Sequence, residues 1–390
     1  MSKSALIFGA SGVTGWAFVN EILNDYPKKG IWKNVHAMTN RPLKKEASEW
    51  PNDDRLEIVS GIDLLKDGQS DLERELTQHV ENIKDVTHVY YLAYKASSSW
   101  EQEYKDADDM FKRAVIAIDH LCPKLEFVVL QTGAKMYGCH LLENHPTDYL
   151  HVPHKESQQR LKSPYGEKLF YHPQLDFIAD YAARKSWSWC DTRPDIIIGF
   201  VPNQNFYSLG TSLSVFLSLW KEVEGSGSEC PFPGSQKAYN AKSNDSSSDM
   251  IARQTLHLSL SPDTKKGEGY NVADEKTPRT WETKWPELCS YFGLKGVPPP
   301  KSDATEVRAY IKRNIGAWHQ LEEKQGLKHS IADSEKTFAG SEYFLLTMFD
   351  FDREYDMTKM YGTGFSEERG TLEAWGGVFD RMKKAKMIPS

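Results

Sequence analysis

The sequence predicts an α/β fold, a doubly wound parallel sheet with a smaller, mainly helical portion after it, and three observations predict this. The chain opens on strand, glycine turn and helix. Apolar Ala5 to Phe8 run into Gly9, Gly12 and Gly15, then into a helical pattern with Ala17, Phe18, Ile22 and Leu23 on one side. Short apolar runs then alternate with helix-length patterns, as parallel strands joined by crossovers do. Beyond about residue 200 the character changes: Pro and Gly become frequent, and Gly225 to Ser248 is rich in Ser, Gly and Asn with little periodicity.

The strand-turn-helix frame turns a loose glycine motif into a dinucleotide site. The first glycine makes the tight turn, the next admits a pyrophosphate, and the third lets helix pack on strand, while the helix N-terminus offers N–H groups. The spacing GxxGxxG is the habit of extended short-chain dehydrogenases. A second strand, Asn34 to Pro42, ends in Asn40-Arg41 without the Asp or Glu that would bind a ribose 2′-OH. A guanidinium there suits a 2′-phosphate and so favours NADPH, the alternative being a surface Arg in a loop. Leu56 to Leu64 reads as a third strand whose Asp63 lies near the adenine or caps the next helix. Val86 to Tyr94 is a fourth strand, Asp106 to Leu121 a crossover helix, and Phe127 to Leu130 a fifth strand. Residues just past strand ends face the ligand crevice, which places Thr132, Lys135 and Tyr137 there. Gly138 to Pro164 is polar and without period, the mark of a long lid or binding loop. A helix follows from Gln174, with Pro173 in its first turn and Tyr171 just before it. Asp191 to Gly199 is a further strand, and later helices are expected at Glu306 to Leu321 and Leu372 to Ala385. Residues 1–200 are therefore the expected nucleotide-binding domain. Residues 201–390 are the substrate-covering portion and C-terminal helices, with elements after 240 partly returning to the first domain.

A chain of 390 residues, 39% hydrophobic, buries a substantial core. Its net charge of −7, with acids and bases interspersed, suggests no nucleic-acid surface, and Lys383 to Lys386 is a short solvated helix face. No apolar stretch reaches the ~20 residues of a membrane span. The first strand begins at once, leaving no room for a signal peptide, so a cytoplasmic location is expected. Five scattered cysteines without a CxxC pair read as reduced thiols and no structural metal.

Taken together these segments resemble the progesterone 5-beta-reductase/iridoid synthase (PRISE) family of atypical extended short-chain dehydrogenases/reductases. The resemblance runs along nearly the whole chain. It includes the glycine turn, Asn40-Arg41-Pro42, Val86 to Tyr91, Leu130-Gln-Thr-Gly-Ala-Lys135-Met-Tyr137, Phe170-Tyr171, Ser188 to Pro194, Ile198 to Phe200 and the tail from Phe379 to Pro389. Leu-Gln-Thr-Gly-x-Lys is the most specific of these. The resemblance implies a Rossmann-type fold, NADPH as cofactor, and a catalytic pair taken not from Tyr-x-x-x-Lys but from Thr-Gly-x-Lys (Lys135) and from the Tyr after Phe170 (Tyr171). Tyr181-Ala-Ala-Arg-Lys185 fits Tyr-x-x-x-Lys literally. Tyr171, however, stands some two dozen residues before Pro194, the usual spacing, and Tyr181 about half as far. With the strand ends, the resemblance places the cofactor contacts at Gly9, Ser11, Gly12, Val13, Asn40, Arg41, Asp63, Leu64, Ala93, Thr132, Gly133, Lys135, Tyr171, Pro194 and Ile197. The sequence departs from the family pattern at four places: His172-Pro173 replaces a second Tyr, Asn40-Arg41 a pair of arginines, Tyr94 a Trp and Ala107 an Asn.

What the family chemistry implies is reduction of a carbon-carbon double bond conjugated to a carbonyl. Tyr171 would serve the enolate oxygen, with Lys135 assisting. Alternatives are a carbonyl reductase, a non-redox cyclase or isomerase, or a nucleotide sensor. Lys135 as a solvated loop lysine, Tyr171 as a helix-entry aromatic and His172 as a packed histidine are the plain readings beside these roles. Phe206, Tyr207, Phe344 and Phe349 suggest an apolar substrate or are simply core, and the resemblance implies a small, carbonyl-containing one. Nucleic acid and membrane are not expected partners, and a homodimer stays open.

Overall fold

Ala5 and Ile7 point to one side of the first strand, Leu6 and Phe8 to the other, and all four are buried. A strand apolar on both faces belongs inside a sheet that helices cover on both sides. The computed structural model, which describes residues 2–144, 151–202, 208–301, 305–329, 331–335, 337–338 and 340–390, has that sheet. Its strands are β1 (Lys3–Phe8), β2 (Trp32–Thr39), β3 (Leu56–Ser60), β4 (His88–Tyr91), β5 (Phe127–Gln131), β6 (Ser188–Pro194) and β7 (Gly269–Val272). They run parallel in the order β7-β6-β5-β4-β1-β2-β3. The winding reverses between β1 and β4, and a crevice opens outside the carboxyl ends at such a switch point.

Alternate residues feed two separate cores. Ala5, Ile7, Tyr90 and Val129 join α1 (Val13–Leu23), while Leu6, Phe8, Val89, Tyr91 and Val128 join α2 (Gln69–His79), α3 (Trp100–Leu121) and α4 (Tyr171–Ala182). The first core also takes in α5 (Leu209–Glu224), α6 (Ser248–Leu260), α7 (Trp281–Tyr291), α8 (Val307–Arg313), α9 (Ile315–Gln325) and α10 (Thr371–Lys384). Residues after 240 thus supply both a sheet strand, β7 beside β6, and a helix, α6, packed on α1.

Several boundaries differ from the sequence reading for physical reasons. Helix α3 begins at Trp100 rather than Asp106, with the Ser99 hydroxyl accepting from the Gln102 N–H. Its first turns are polar and carry no apolar stripe to announce them. Tyr171 is the first residue of α4, not a residue ahead of it. The strand expected over Asp191 to Gly199 divides at Asp195: β6 ends at Pro194, and Ile197–Ile198 pairs instead with Ser246–Ser247. The helix expected over Glu306 to Leu321 breaks at Asn314 (φ −110°, ψ 19°). Gly225 to Ser248 is not without structure, for it carries Glu229–Pro231, paired with Lys295–Val297, and the helical turn Gln236–Asn240.

All five cysteines are buried free thiols. Among the described residues no His, Cys, Asp and Glu cluster suits a metal ion, and no helix is long and apolar enough to cross a membrane.

Candidate active site

The carboxyl ends of β1 to β6 border one cavity of about 960 Å3. Gly9, Ser11, Gly12 and Val13 line it at the start of α1. Gly9 sits at φ +83°, and a Cβ there would stand 2.8 Å from the Ala93 nitrogen and the Leu92 carbonyl, so only glycine lets β1 and β4 end side by side. A Cβ on Gly15 would meet the Gly9 oxygen at 2.2 Å, which is why the third glycine allows the helix to start so close to the turn. Gly12 is the N-cap of α1, without a side-chain cap and with no acid in the first turn. The amide N–H groups there keep their capacity for an anion.

Asn40 and Arg41 follow β2, Asp63 and Leu64 follow β3, Ala93 follows β4, and all line the same cavity. The Thr39 hydroxyl donates to the Arg41 carbonyl at 2.8 Å and holds the turn, leaving Arg41 exposed. The Asp63 carboxylate accepts from the Leu65 N–H at 2.9 Å and so closes its own turn. It does not cap the next helix, which starts only at Gln69 with Gly68 as N-cap. A free helix N-terminus and the polar groups after β2 and β3 fit a nicotinamide dinucleotide, whose pyrophosphate the helix N-terminus would hold.

At the β5 side, the Thr132 N–H donates to the Thr192 carbonyl at 2.8 Å and its hydroxyl to Asp191 at 2.9 Å. Arg193 pairs with the same carboxylate at 2.8 Å, so the strand end is held on both sides. A Cβ on Gly133 would stand 3.3 Å from the Pro194 carbonyl oxygen and 3.6 Å from the Tyr171 hydroxyl. The phenol hydroxyl thus lies beside Gly133, just past the end of β5. Lys135 lies in the short turn Ala134–Tyr137 with its Nζ 3.9 Å from Glu103 and 5.8 Å from the Phe170 ring centre. Thr132, Gly133, Lys135, Tyr171, Pro194 and Ile197 all border the cavity that the glycine turn borders.

Burial pushes the Tyr171 phenol above its ordinary pKa, and the Glu103 and Asp191 carboxylates push it further the same way. Burial lowers the Lys135 ammonium, with Glu103 opposing. Although 42% of the Lys135 side chain is accessible, the protein around it is dense enough for that. Tyr171 is therefore a neutral donor at physiological pH, not a phenol made acidic by a neighbouring cation.

Tyr137, expected at the crevice, does not reach the cavity, and Tyr181 and His172 are not among its lining residues either. Tyr137 turns into the core, donating to Asn271 Oδ1 and stacking 4.7 Å from His154. Tyr181 donates to Asp119 at 2.9 Å, and Lys185 and Trp187 bind the same carboxylate at 2.6 and 2.8 Å. This clamp ties α4 to α3 and lies outside the cavity lining. His172 packs beside Gly166 with its pKa lowered by burial, and among the described residues its buried Nε2 has no partner. Phe206 and Tyr207 lie outside the described residues, whereas Phe344 and Phe349 line the cavity as its apolar cover, with Ser341 and Leu345.

The sequence reading missed His140 and Gln174, both lining residues. His140 follows Lys135 by one turn, inside the loop expected to bind ligand. Burial, then the Lys135 charge, lowers its pKa to about 4, so the imidazole is neutral. Gln174 stands three positions after Tyr171, a spacing that puts both on one helix face.

Comparison with known proteins shows the family and the fold. The profile of the PRISE-like Rossmann-fold domain matches residues 5–389. The chain is 34% identical to the short chain dehydrogenase ausT of Aspergillus calidoustus, over 100% of this chain and 95% of that one. It is 26% identical to the (S)-8-oxocitronellyl enol synthase of Nepeta racemosa, over 99% and 93%. The fold is similar to that of the Thermus thermophilus UDP-glucose 4-epimerase solved in complex with NAD, at TM-score 0.56 and 15% identity, covering 97% and 99%.

Proposed function

Because the chain belongs to the PRISE-like Rossmann-fold family and is an oxidoreductase of the short-chain dehydrogenase/reductase type, we propose that it is an NADPH-dependent reductase of carbon-carbon double bonds conjugated to a carbonyl. The observation that carries this reading is the Tyr171 hydroxyl beside Gly133, in the cavity that the glycine turn also borders. NADPH, when bound, supplies the hydride that the β carbon of an enone or enal accepts. The chain's own part is to stabilise the charge that then gathers on the carbonyl oxygen. A neutral phenol in a site walled by protein suits that task, since a donor fixed in place counts for more where water is excluded. Lys135 assists as the cation of the site and offsets the negative potential of Glu103, 3.9 Å from its Nζ. The relative from Nepeta racemosa is named for forming an enol. An enol is what results when the carbonyl oxygen takes up both charge and proton.

The test is NADPH oxidation with a panel of conjugated enones and enals, followed by product analysis. A saturated ketone or aldehyde supports the reading. An allylic alcohol would replace it by carbonyl reduction, and NADPH binding without turnover would point to a non-redox use of the site.

Arg41 is the proposed reader of the 2′-phosphate. Arg41→Ala is expected to raise the KM for NADPH by about tenfold, the worth of a charge-assisted contact, and to leave the KM for NADH within twofold. Parallel steady-state titrations with the two cofactors check this. An equal rise for both would remove Arg41 from phosphate recognition.

A further inference from the structure

Phe170 is the meeting point of three side chains whose residues border the cavity. The Tyr94 ring stacks on it at 6.0 Å, the Tyr171 ring meets it edge-on at 4.7 Å, and the Lys135 ammonium stands 5.8 Å from its centre. Glu103, in the first turn of α3, is not among the lining residues, yet it meets two of the three. The Tyr94 hydroxyl donates to Glu103 Oε1 at 2.6 Å, and the same oxygen lies 3.9 Å from Lys135 Nζ. The Glu103 side chain is only 19% exposed. A carboxylate drawn that far from water is normally a paired one. Tyr94 is one of the four departures from the family pattern, and it brings the hydroxyl that fixes this carboxylate.

We propose, on the footing of the reductase reading above, that Glu103 is a positioning residue: fixed by Tyr94, it holds the Lys135 ammonium at the cavity and serves the reaction through that cation. Without a partner, a side chain 42% accessible would let its ammonium turn to water. Glu103 also favours the charged form of Lys135 against the burial that disfavours it. Among the described residues, two other titratable groups face Lys135 or Tyr171. His140 stays neutral, its pKa lowered to about 4, and Asp191 acts on Tyr171. An acid in the first turn suits a helix N-terminus as well, but that role moves stability and not a pH profile.

The experiment measures the pH profile of kcat, from about pH 6 to 10, for 2-cyclohexenone with NADPH in wild type, Glu103→Gln, Lys135→Met and the double variant. Glu103→Gln keeps an acceptor for Tyr94 and removes only the charge. Without that charge the Lys135 pKa falls, and activity is lost as pH rises through the lower value. The alkaline limb is therefore expected about one pH unit below that of wild type, the worth of a unit charge about 4 Å away in a wet setting. In Lys135→Met no such limb is expected. Adding Glu103→Gln there should not lower kcat, since a carboxylate with no cation to hold only opposes the charge gathering on the carbonyl oxygen. The position of a limb does not depend on the folded fraction, so a variant that folds less well still reports it. An alkaline limb absent from wild type or left in place by Glu103→Gln overturns the inference and leaves the reductase reading standing. So does a shift that persists in Lys135→Met, or an equal loss of kcat in both backgrounds. NADPH binding without reduction of any enone overturns the reductase reading, and the role of Glu103 with it.

Discussion

Tyr171→Phe is expected to lower kcat for enone reduction by 10²- to 10³-fold, the usual cost of removing one fixed donor to a developing oxyanion. The enone KM and the Kd for NADPH are expected to stay within about threefold, because the ring and its contact with Phe170 remain and only the hydroxyl is lost. Tyr181→Phe is the paired control. Its hydroxyl binds Asp119 on the far side of α4, so turnover should persist, at a stability cost of about 1 kcal/mol. If Tyr181→Phe abolishes turnover and Tyr171→Phe does not, the ordinary Tyr-x-x-x-Lys helix pair is the catalytic one after all. The pH profile adds a second check. Burial, Glu103 and Asp191 all raise the Tyr171 pKa, so its phenol stays protonated and contributes no loss of kcat between pH 7 and 10. Burial lowers the Lys135 pKa, so an alkaline limb below the ordinary lysine value belongs to Lys135. Lys135→Met should remove that limb.

The half of the site proposed to bind nucleotide was legible because its chemistry is local. Gly9, Gly12 and Gly15 lie within one turn of chain, and the strand before and the helix after them announce themselves by apolar runs. Arg41 and Asp63 could be placed from strand ends alone. The proposed donor, Tyr171, is singled out only by spacing and resemblance: nothing in Phe170-Tyr171 itself distinguishes it from Tyr181. Three kinds of signal were absent. Tyr137 stands past a strand end like Lys135, and only the turn Ala134–Tyr137 sends one side chain to the crevice and the other to Asn271. Helix α5 is buried from Leu209 to Trp220. A helix buried all round has no amphipathic stripe, and with Ser212, Ser214 and Ser218 interspersed the sequence reading assigns no element here. The cavity cover at Ser341 to Phe349 meets residues far away in sequence, and no local pattern encodes such a meeting.

Arg353→Met is expected to destabilise the protein by about 3–5 kcal/mol, because it leaves a buried carboxylate without its cation. The side chains of Arg353 and Asp195 are both 2% exposed, and Arg353 Nε lies 3.1 Å from Asp195 Oδ2. Asp195 borders the cavity just past β6, and the Arg353 guanidinium also rests 4.0 Å over the ring of Phe349 in the cover. One side chain therefore joins wall and cover. The sign with pH follows from Asp195. Burial already raises its pKa in the folded protein, and Arg353 is the largest influence holding it down. Without Arg353 the folded pKa climbs further above the unfolded value near 3.9, so the folded variant takes up a proton. The deficit is then smallest near pH 4 and grows as pH rises through the new folded pKa. Denaturant unfolding of wild type, Arg353→Met and Arg353→Met with Asp195→Asn at pH 4.5 and 7.5 measures this. The double variant should recover most of the loss, since a neutral amide is far cheaper to bury than an unpaired charge. A deficit below 1 kcal/mol, or one independent of pH, would mean that the pair is hydrated and that apolar packing alone carries the cover. A large, pH-dependent deficit together with a raised enone KM would mean that the C-terminal residues hold the substrate cover in place through a charge fixed at the end of a sheet strand.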